Sequence, residues 1–130
     1  MKVSFNFFSY LIAFLIFIFN NSEFAYGIGN VDWLLLKENN DGKEWIDMGS
    51  IKSINDKEIS VLTKFLKNPN DPNDKEQLSL YVMRINCTEK KFKDTSINGI
   101  PQFNSKWQTS NNDELIDVVI EKVCSEIIDL

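Results

Sequence analysis

Hydrophobic residues follow three different patterns along this chain of 130 residues. Near the N terminus they form a continuous run, in the middle they alternate with polar residues, and near the C terminus they recur every three or four residues. Alternation is typical of strands with one buried face, and the three-to-four spacing is typical of an amphipathic helix. The patterns therefore predict an N-terminal targeting segment, a β-rich middle and a C-terminal helix.

The N-terminal run covers residues 5–19, after Lys2 and before a polar stretch that ends at Ala25-Tyr26-Gly27. A positive start, a short apolar core and small residues just before a cut are the features of a secretory signal peptide. The run is shorter than the ~20 residues that cross a bilayer, and an uncleaved anchor is the alternative. We expect residues 1–27 to be a signal peptide cleaved after Gly27, which leaves residues 28–130 as one small domain without a membrane span.

Strand signals fill the middle of the chain. We predict strands over residues 31–37, 44–48, 58–66, 77–86 and 89–96, with a short continuation over 50–54. The polar segments 39–42, 55–57, 68–76 and 97–104 separate them as turns and loops. In the third strand, Ile59, Val61, Thr63 and Phe65 share one face, which indicates a half-buried strand.

The C-terminal pattern predicts an amphipathic helix over residues 113–130, about five turns long. Its apolar stripe consists of Leu115, Ile116, Val119, Ile120, Val123, Cys124, Ile127 and Ile128. Ser110, Asn111 or Asn112 is expected to cap its N terminus, where Asp113 and Glu114 suit the positive end of the helix dipole. The expected fold class is therefore α+β, with a meandering antiparallel sheet and this helix packed on one face.

Cys87 and Cys124 are the two cysteines of the chain, and both fall in the exported part. Outside the cytosol two lone thiols usually pair, and a bridge across this interval would stabilise the domain by about 3.5–4 kcal/mol through loop-closure entropy. A redox or nucleophilic cysteine is the alternative, but neither cysteine has the close second cysteine that such chemistry favours. We predict a disulfide that ties the helix to the end of the longest strand.

The net charge is −5 and the chain contains no histidine. Nucleic acids and anionic lipids select for clusters of basic residues, so we expect neither as a partner. The densest basic spot, Lys90-Lys91 with Lys93, is interpreted as a solvated strand face. Without histidine, serine or cysteine catalysis through an imidazole base is excluded, and the commonest zinc ligand is missing.

Two further groups of residues have both a structural and a functional interpretation. The loop over residues 68–76 repeats Pro-Asn-Asp and could offer oxygens to Ca²⁺, but it lacks the glycine and the spaced glutamate of a helix-loop-helix calcium site, which favours a hydrophilic hairpin loop. Trp33, Trp45 and Trp107 could form an aromatic binding platform, but large aromatic residues more often fill the core or stabilise cross-strand packing.

The chain resembles the surface-adhesin protein E family of small exported bacterial proteins. The residues that carry the resemblance are Trp33, the Asp47-Met48-Gly49-Ser50-Ile51 step, Cys87 followed by Lys91-Phe92, Trp107 with Ser110, and Cys124. The resemblance implies an antiparallel sheet whose concave side holds the helix through the disulfide, and it allows a homodimer. It also implies binding to extracellular host proteins, which is an analogy of fold rather than of site.

Three functions are compatible with these observations. The first is an exported envelope or surface module that binds another protein, and the second is a periplasmic inhibitor or accessory protein. The third is a hydrolase, which would need two converging carboxylates in a cleft, whereas we expect the helix to leave little room for one. We therefore predict a non-catalytic, adhesin-like protein-binding module in the periplasm or at the cell surface, without catalytic residues, cofactor or metal, and with a protein partner.

Overall fold

The computed structural model describes residue 12 and residues 30–126. The signal peptide expected over residues 1–27 therefore lies outside the described residues, apart from residue 12, as do the last four residues of the predicted helix. No helix within the described part has the length and hydrophobicity needed to cross a membrane.

In the described part, a seven-stranded antiparallel sheet is followed by a helix. The elements are β1 (Trp33–Glu38), β2 (Gly42–Asp47), β3 (Lys52–Ser53), β4 (Glu58–Lys67), β5 (Gln77–Asn86), β6 (Lys91–Ile97), β7 (Ile100–Pro101) and α1 (Glu114–Glu126). The strands lie in the order β1-β2-β4-β5-β6-β7, and β3 also pairs with β4. This is the predicted meander with its C-terminal helix, so the α+β fold class is confirmed.

A single 3₁₀ turn (Met48–Ser50) joins β2 to β3, so that both strands lie along β4. The Asp47 carboxylate accepts hydrogen bonds from the backbone N–H groups of Asp32 (2.8 Å) and Gly49 (3.1 Å). The Ser50 hydroxyl donates to the Asp47 carbonyl (2.7 Å) and accepts from the backbone N–H of Leu62 (2.8 Å). The aspartate-to-serine step is therefore a structural motif that connects three strands.

The core lies between the sheet and α1. Its buried residues are Ile46, Ile59, Val61, Met83, Ile85, Phe92, Val119, Ile120 and Val123. The strand members alternate along β4 and β5 as period-two packing requires, and the helix members recur at the spacing of one helical face. Burial of this continuous apolar cluster is the main favourable contribution to folding.

Cys87 and Cys124 form a disulfide, with Cα atoms 5.6 Å apart. Cys87 follows the last residue of β5, and Cys124 lies in the last described turn of α1. The predicted pairing is confirmed, and it fixes the C-terminal part of the helix to the sheet.

The N terminus of α1 differs from the prediction. Asp113 caps the helix, because its carboxylate accepts hydrogen bonds from the backbone N–H groups of Leu115 (2.9 Å) and Ile116 (3.3 Å). Asn111 and Asn112 have φ angles of 51° and 66°, whereas a capping residue needs an extended backbone. The prediction that Ser110 or one of these asparagines caps the helix is therefore wrong.

Residues 97–104, predicted as a loop, contain a hairpin between β6 and β7. Asn98 and Gly99 form its turn with φ angles of 50° and 81°, as a tight two-residue hairpin turn requires. Asn98 also binds the backbone of Leu80 on β5, through its own N–H and its side-chain oxygen, both at 2.8 Å.

Candidate functional site

The two faces of the sheet have different surroundings. Helix α1 packs on one face, named here the inner face, mainly against β1, β2 and β4. Within residues 30–126, no helix or strand packs on the opposite face, named here the outer face. Residues paired across neighbouring strands point to the same face, so the register assigns each strand side chain to one face.

The outer face combines apolar and basic side chains. The register places Leu35, Trp45, Lys64 and Leu80 in one row across four strands, and Leu78 lies in the neighbouring row. Leu35, Leu78 and Leu80 leave 46%, 55% and 38% of their surface exposed. Exposed apolar side chains that are contiguous on one surface are typical of interaction sites.

Each tryptophan lies under a lysine ammonium group. The Nζ of Lys64 lies 4.4 Å from the centre of the Trp33 ring and 4.5 Å from that of Trp45. The Nζ of Lys93 lies 4.8 Å from the centre of the Trp107 ring. These are cation–π distances. Of the two structural roles expected for the tryptophans, filling the core is wrong, because all three rings are half-buried and none belongs to the core. Trp33 and Trp45 instead lie on the paired strands β1 and β2, where Lys64 contacts both rings.

A cavity of about 360 Å³ lies between the inner face and the start of α1. Its lining consists of the apolar side chains Phe65, Tyr81, Met83, Phe92, Leu115 and Ile116, the uncharged polar side chains Thr63 and Gln108, and the carboxylates Asp41, Glu44, Asp94 and Asp113. We expected the helix to leave little room against the sheet, and this expectation is wrong. The 13-residue helix packs mainly against β1, β2 and β4, so the inner positions Tyr81 on β5 and Asp94 on β6 stay partly exposed.

The four carboxylates enter the cavity from different elements. Asp41 in the β1–β2 loop and the helix cap Asp113 are exposed at its mouth, Asp94 on β6 is half-buried, and Glu44 on β2 is only 3% exposed. No group of three or more acidic or cysteine side chains in the described residues is arranged to hold a metal ion. The cavity is therefore a largely apolar pocket that acidic groups reach from four different elements.

Glu44 has an unusual electrostatic environment. Burial raises the pKa of its carboxyl from 4.5 to about 8. The nearby Thr63 hydroxyl opposes this increase, and the negative charges of Asp113 and Asp94 add to it. Burial also raises the pKa of Asp94. At neutral pH the Glu44 carboxyl is therefore mainly protonated.

No ion pair in the described part of the chain compensates the charge of Glu44. Lys37 is its register partner on β1, but the Lys37 ammonium binds the Glu114 carboxylate at 2.8 Å. A buried carboxyl without a cation is costly to ionise, and this is consistent with its raised pKa.

The family comparison agrees with the architecture. Residues 34–130 match the model of the surface adhesin-E family. The chain belongs to this family. The match includes the sheet from the second residue of β1 onward, the disulfide and α1, and it confirms the resemblance found in the sequence. No curated protein and no solved structure matches the chain.

Membership of the surface adhesin-E family suggests an exported or surface location and binding to some partner. It also suggests a role other than catalysis. For this adhesin-E chain the structure offers two surfaces that could bind a ligand, the outer face and the cavity.

The other sequence candidates have local structural roles. The Asn68 amide donates hydrogen bonds to the backbone carbonyls of Asn39 (3.0 Å) and Asn40 (3.1 Å). The Asp71 carboxylate accepts a hydrogen bond from the backbone N–H of Asn73 at 3.0 Å. These contacts organise the candidate calcium loop and tie its start to the β1–β2 turn.

The basic residues Lys90, Lys91 and Lys93, predicted as a solvated strand face, lie in two structural elements, the β5–β6 turn and β6. Lys91 forms an ion pair with Glu89 (3.7 Å), and Lys93 covers Trp107 on the outer face. Lys90 lies in the β5–β6 turn with a φ angle of 53°.

Sequence reasoning missed Glu44 and Asp94 as parts of a cavity. A signal was nevertheless present, because Glu44 lies two residues before the buried Ile46 and therefore shares its face of β2. A charged residue at an inner strand position is unusual, since unpaired carboxylates are rarely fully buried. The face of Asp94 is harder to predict from the sequence, because the β5–β6 register shifts beside it, between Val82 and Met83.

Proposed function

We propose that this adhesin-E protein is an exported, non-catalytic binding module that binds another protein through the outer face of its sheet. The observation that supports this most strongly is the row of exposed leucines beside two lysine-covered tryptophans. Tryptophan is enriched among the residues that dominate binding energy, and Trp33 and Trp45 would supply such anchors. A sheet surface that no helix or strand of the described residues covers suits a protein partner better than a small ligand.

The charge of the outer face indicates the chemistry of the partner. The ammonium groups of Lys64 and Lys93 contact tryptophan rings, and neither takes part in an ion pair among the described residues. Both are available to an incoming carboxylate, although the whole chain has a net charge of −5. We therefore propose a partner whose surface is apolar and acidic, and we expect salt to slow its association.

A pull-down with the purified protein tests this proposal. Immobilised protein would be presented with extracellular matrix proteins and, separately, with the periplasmic extract of the cells that produce it. We expect Lys64→Glu to weaken capture of a specific partner at least tenfold. Lys57→Glu, an equal charge change in the exposed β3–β4 turn, is the matched control and should bind like the wild type.

Two results would change the proposal. Equal capture by both variants would exclude the outer face as the interface. Self-association that Lys64→Glu abolishes would identify a second copy of the chain as the occupant of this face.

Protease treatment of intact cells separates an adhesin from the alternative, a periplasmic inhibitor or accessory protein. An adhesin must be reachable from outside, so we expect the protein to be degraded without lysis. Full protection until the outer membrane is opened would favour the periplasmic alternative.

The carboxylates of the cavity make hydrolysis a second candidate function. A carboxylate hydrolase needs one protonated acid and one ionised base or nucleophile, with pKa values shifted apart. Burial raises the pKa of both Glu44 and Asp94. Their environments therefore shift both pKa values in the same direction and do not make one group the acid and the other the base. We therefore expect no hydrolysis of chromogenic glycosides or esters that depends on Glu44, and loss of such activity in Glu44→Gln would contradict the binding-module proposal.

A further inference from the structure

We propose that the cavity beneath α1 binds an organic cation, an ammonium or guanidinium group on an apolar body, with Glu44 as its counter-ion. This site is separate from the outer face and does not depend on the function proposed for that face. Three features support it: the shape and lining of the cavity, the position of Glu44, and the distribution of acidic groups from mouth to interior.

The cavity has the size and lining of a small-molecule site. Ligand pockets of about 300–1,000 Å³ are usually apolar with a few polar groups that fix the ligand's orientation, and this cavity has a volume of about 360 Å³. Phe65, Tyr81 and Phe92 contribute three aromatic rings to its walls. Aromatic faces attract cations, so the same walls accommodate both the apolar body and the charged group.

Glu44 supplies the specific contact. Its side chain is 3% exposed, lines the cavity and has no ion-pair partner among the described residues. The groups that line the cavity with it are Thr63 from β4, Tyr81 from β5, Asp94 from β6, Asp113 from the helix cap and Asp41 from the β1–β2 loop. The only basic residue beside it in the register, Lys37 on β1, is bound to Glu114. A cation in the cavity would therefore meet carboxylates without a competing positive charge.

The acidic groups also guide entry. Asp41 and Asp113 are exposed at the mouth, where they raise the local concentration of cations. A divalent metal ion fits poorly, because no three of the described carboxylates are arranged to coordinate it and the rings of Phe65 and Phe92 provide no oxygen ligands. The lining favours a monovalent cation with an apolar body.

Binding is expected to release a proton. Because the pKa of Glu44 is about 8 in the free protein, the carboxyl is mainly neutral at pH 7, and the cation stabilises its ionised form. The proton leaves to solvent as the ammonium enters, so the charge of the occupied site balances. Affinity should then rise about tenfold per pH unit from pH 6 to pH 8 and level off above that range.

Calorimetric titration of the disulfide-bonded protein with hexylamine tests the proposal. An alkylamine has a pKa near ~10.4, like lysine, so the probe stays charged throughout this pH range. Hexanol has nearly the same shape without the charge. At pH 8.5 we expect hexylamine to bind in a 1:1 ratio and at least ten times more tightly than hexanol.

Variants identify the counter-ion. Glu44→Gln should weaken hexylamine binding at least tenfold at pH 8.5 and remove most of its pH dependence. Glu121→Gln, the same change on the helix outside this cavity, should stay within twofold of the wild type. The pH dependence of the wild type and its proton release in two buffers test the same role without any substitution.

The probe series also distinguishes the source of the cation. A capped tripeptide with a central lysine that binds more tightly than hexylamine would indicate a lysine side chain of a partner protein, and the reverse order would indicate a free amine. Equal binding of hexylamine and hexanol, no detectable binding of hexylamine, or an unchanged affinity in Glu44→Gln would overturn the proposal. None of these results would affect capture of a protein by the outer face.

Discussion

Replacing Glu44 by glutamine should stabilise the protein near neutral pH, and the gain should depend on pH in a predictable way. Glutamine has nearly the shape of a protonated glutamate, so the packing around this 3% exposed side chain is preserved. The difference is that glutamine needs no proton to enter the folded state. The substitution therefore isolates the cost of protonating one buried carboxyl.

The sign and size of the effect follow from the raised pKa. In the unfolded chain the carboxyl has its ordinary pKa of 4.5, and in the folded protein the pKa is about 8. Between these values the folded state binds more protons, so the contribution of Glu44 is fully present below pH 4.5 and is lost as the pH rises toward 8. Each pKa unit corresponds to about 1.4 kcal/mol, which gives a loss of about 3 kcal/mol at pH 7.

Urea unfolding of the wild type and Glu44→Gln at pH 4, 6, 7 and 8.5 measures this loss. We expect the two proteins to differ little at pH 4 and the variant to be more stable by about 3 kcal/mol at pH 7. The negative charges of Asp94 and Asp113 are part of the cost of ionising Glu44, so the difference between the two proteins includes the loss of that repulsion. Glu121→Gln is the matched control and should show no such trend. A stability difference that is the same at every pH would refute the reasoning, because it would mean that Glu44 ionises normally in the fold.

Three further predictions concern the rest of the chain. Replacing both Cys87 and Cys124 by alanine should lower the free energy of unfolding by about 4 kcal/mol, since the bridge spans 37 residues; urea titration measures this, and an unchanged midpoint would contradict it. Asp113→Ala should cost about 1 kcal/mol through loss of the helix cap while Asp113→Asn retains most of it, which thermal unfolding can compare. N-terminal sequencing of exported protein should begin at Ile28, and an intact Met1 in the membrane fraction would exclude cleavage.

Much of the fold could be predicted because it depends on local periodicity. The alternation of residues 58–66 gave the inner face of β4, and β5 has the predicted bounds (Gln77–Asn86). The helix spacing placed Cys124 on the apolar side, and the end of the longest strand placed Cys87 nearby. Each prediction needed only one segment and the rule that apolar faces are buried.

The candidate sites could not be predicted in the same way, because they depend on which of two faces the helix covers. Period two shows that Trp45 and Ile46 point to opposite faces, but it does not show which face is buried. The large apolar area of Trp45 favours its burial, whereas the structure buries Ile46 and leaves the tryptophan half-exposed beneath Lys64. Glu44 lies on the same face of β2 as Ile46. The cavity could not be predicted either, because the sequence does not show that this face is the buried one.

Successive side chains of a strand point to opposite faces of the sheet, and this alternation keeps the cavity and the outer face separate. Thr63 and Phe65 line the cavity, while Lys64 between them points to the outer face and contacts Trp33 and Trp45. Neighbouring residues of β4 therefore belong to two surfaces of opposite charge. One is the acidic cavity, and the other is the basic and apolar outer face. Because their side chains do not share partners, substitutions at the two surfaces should have nearly additive effects on stability. A ligand in the cavity can influence the outer face only by changing the strand between them, so independent binding at the two surfaces is the expected behaviour.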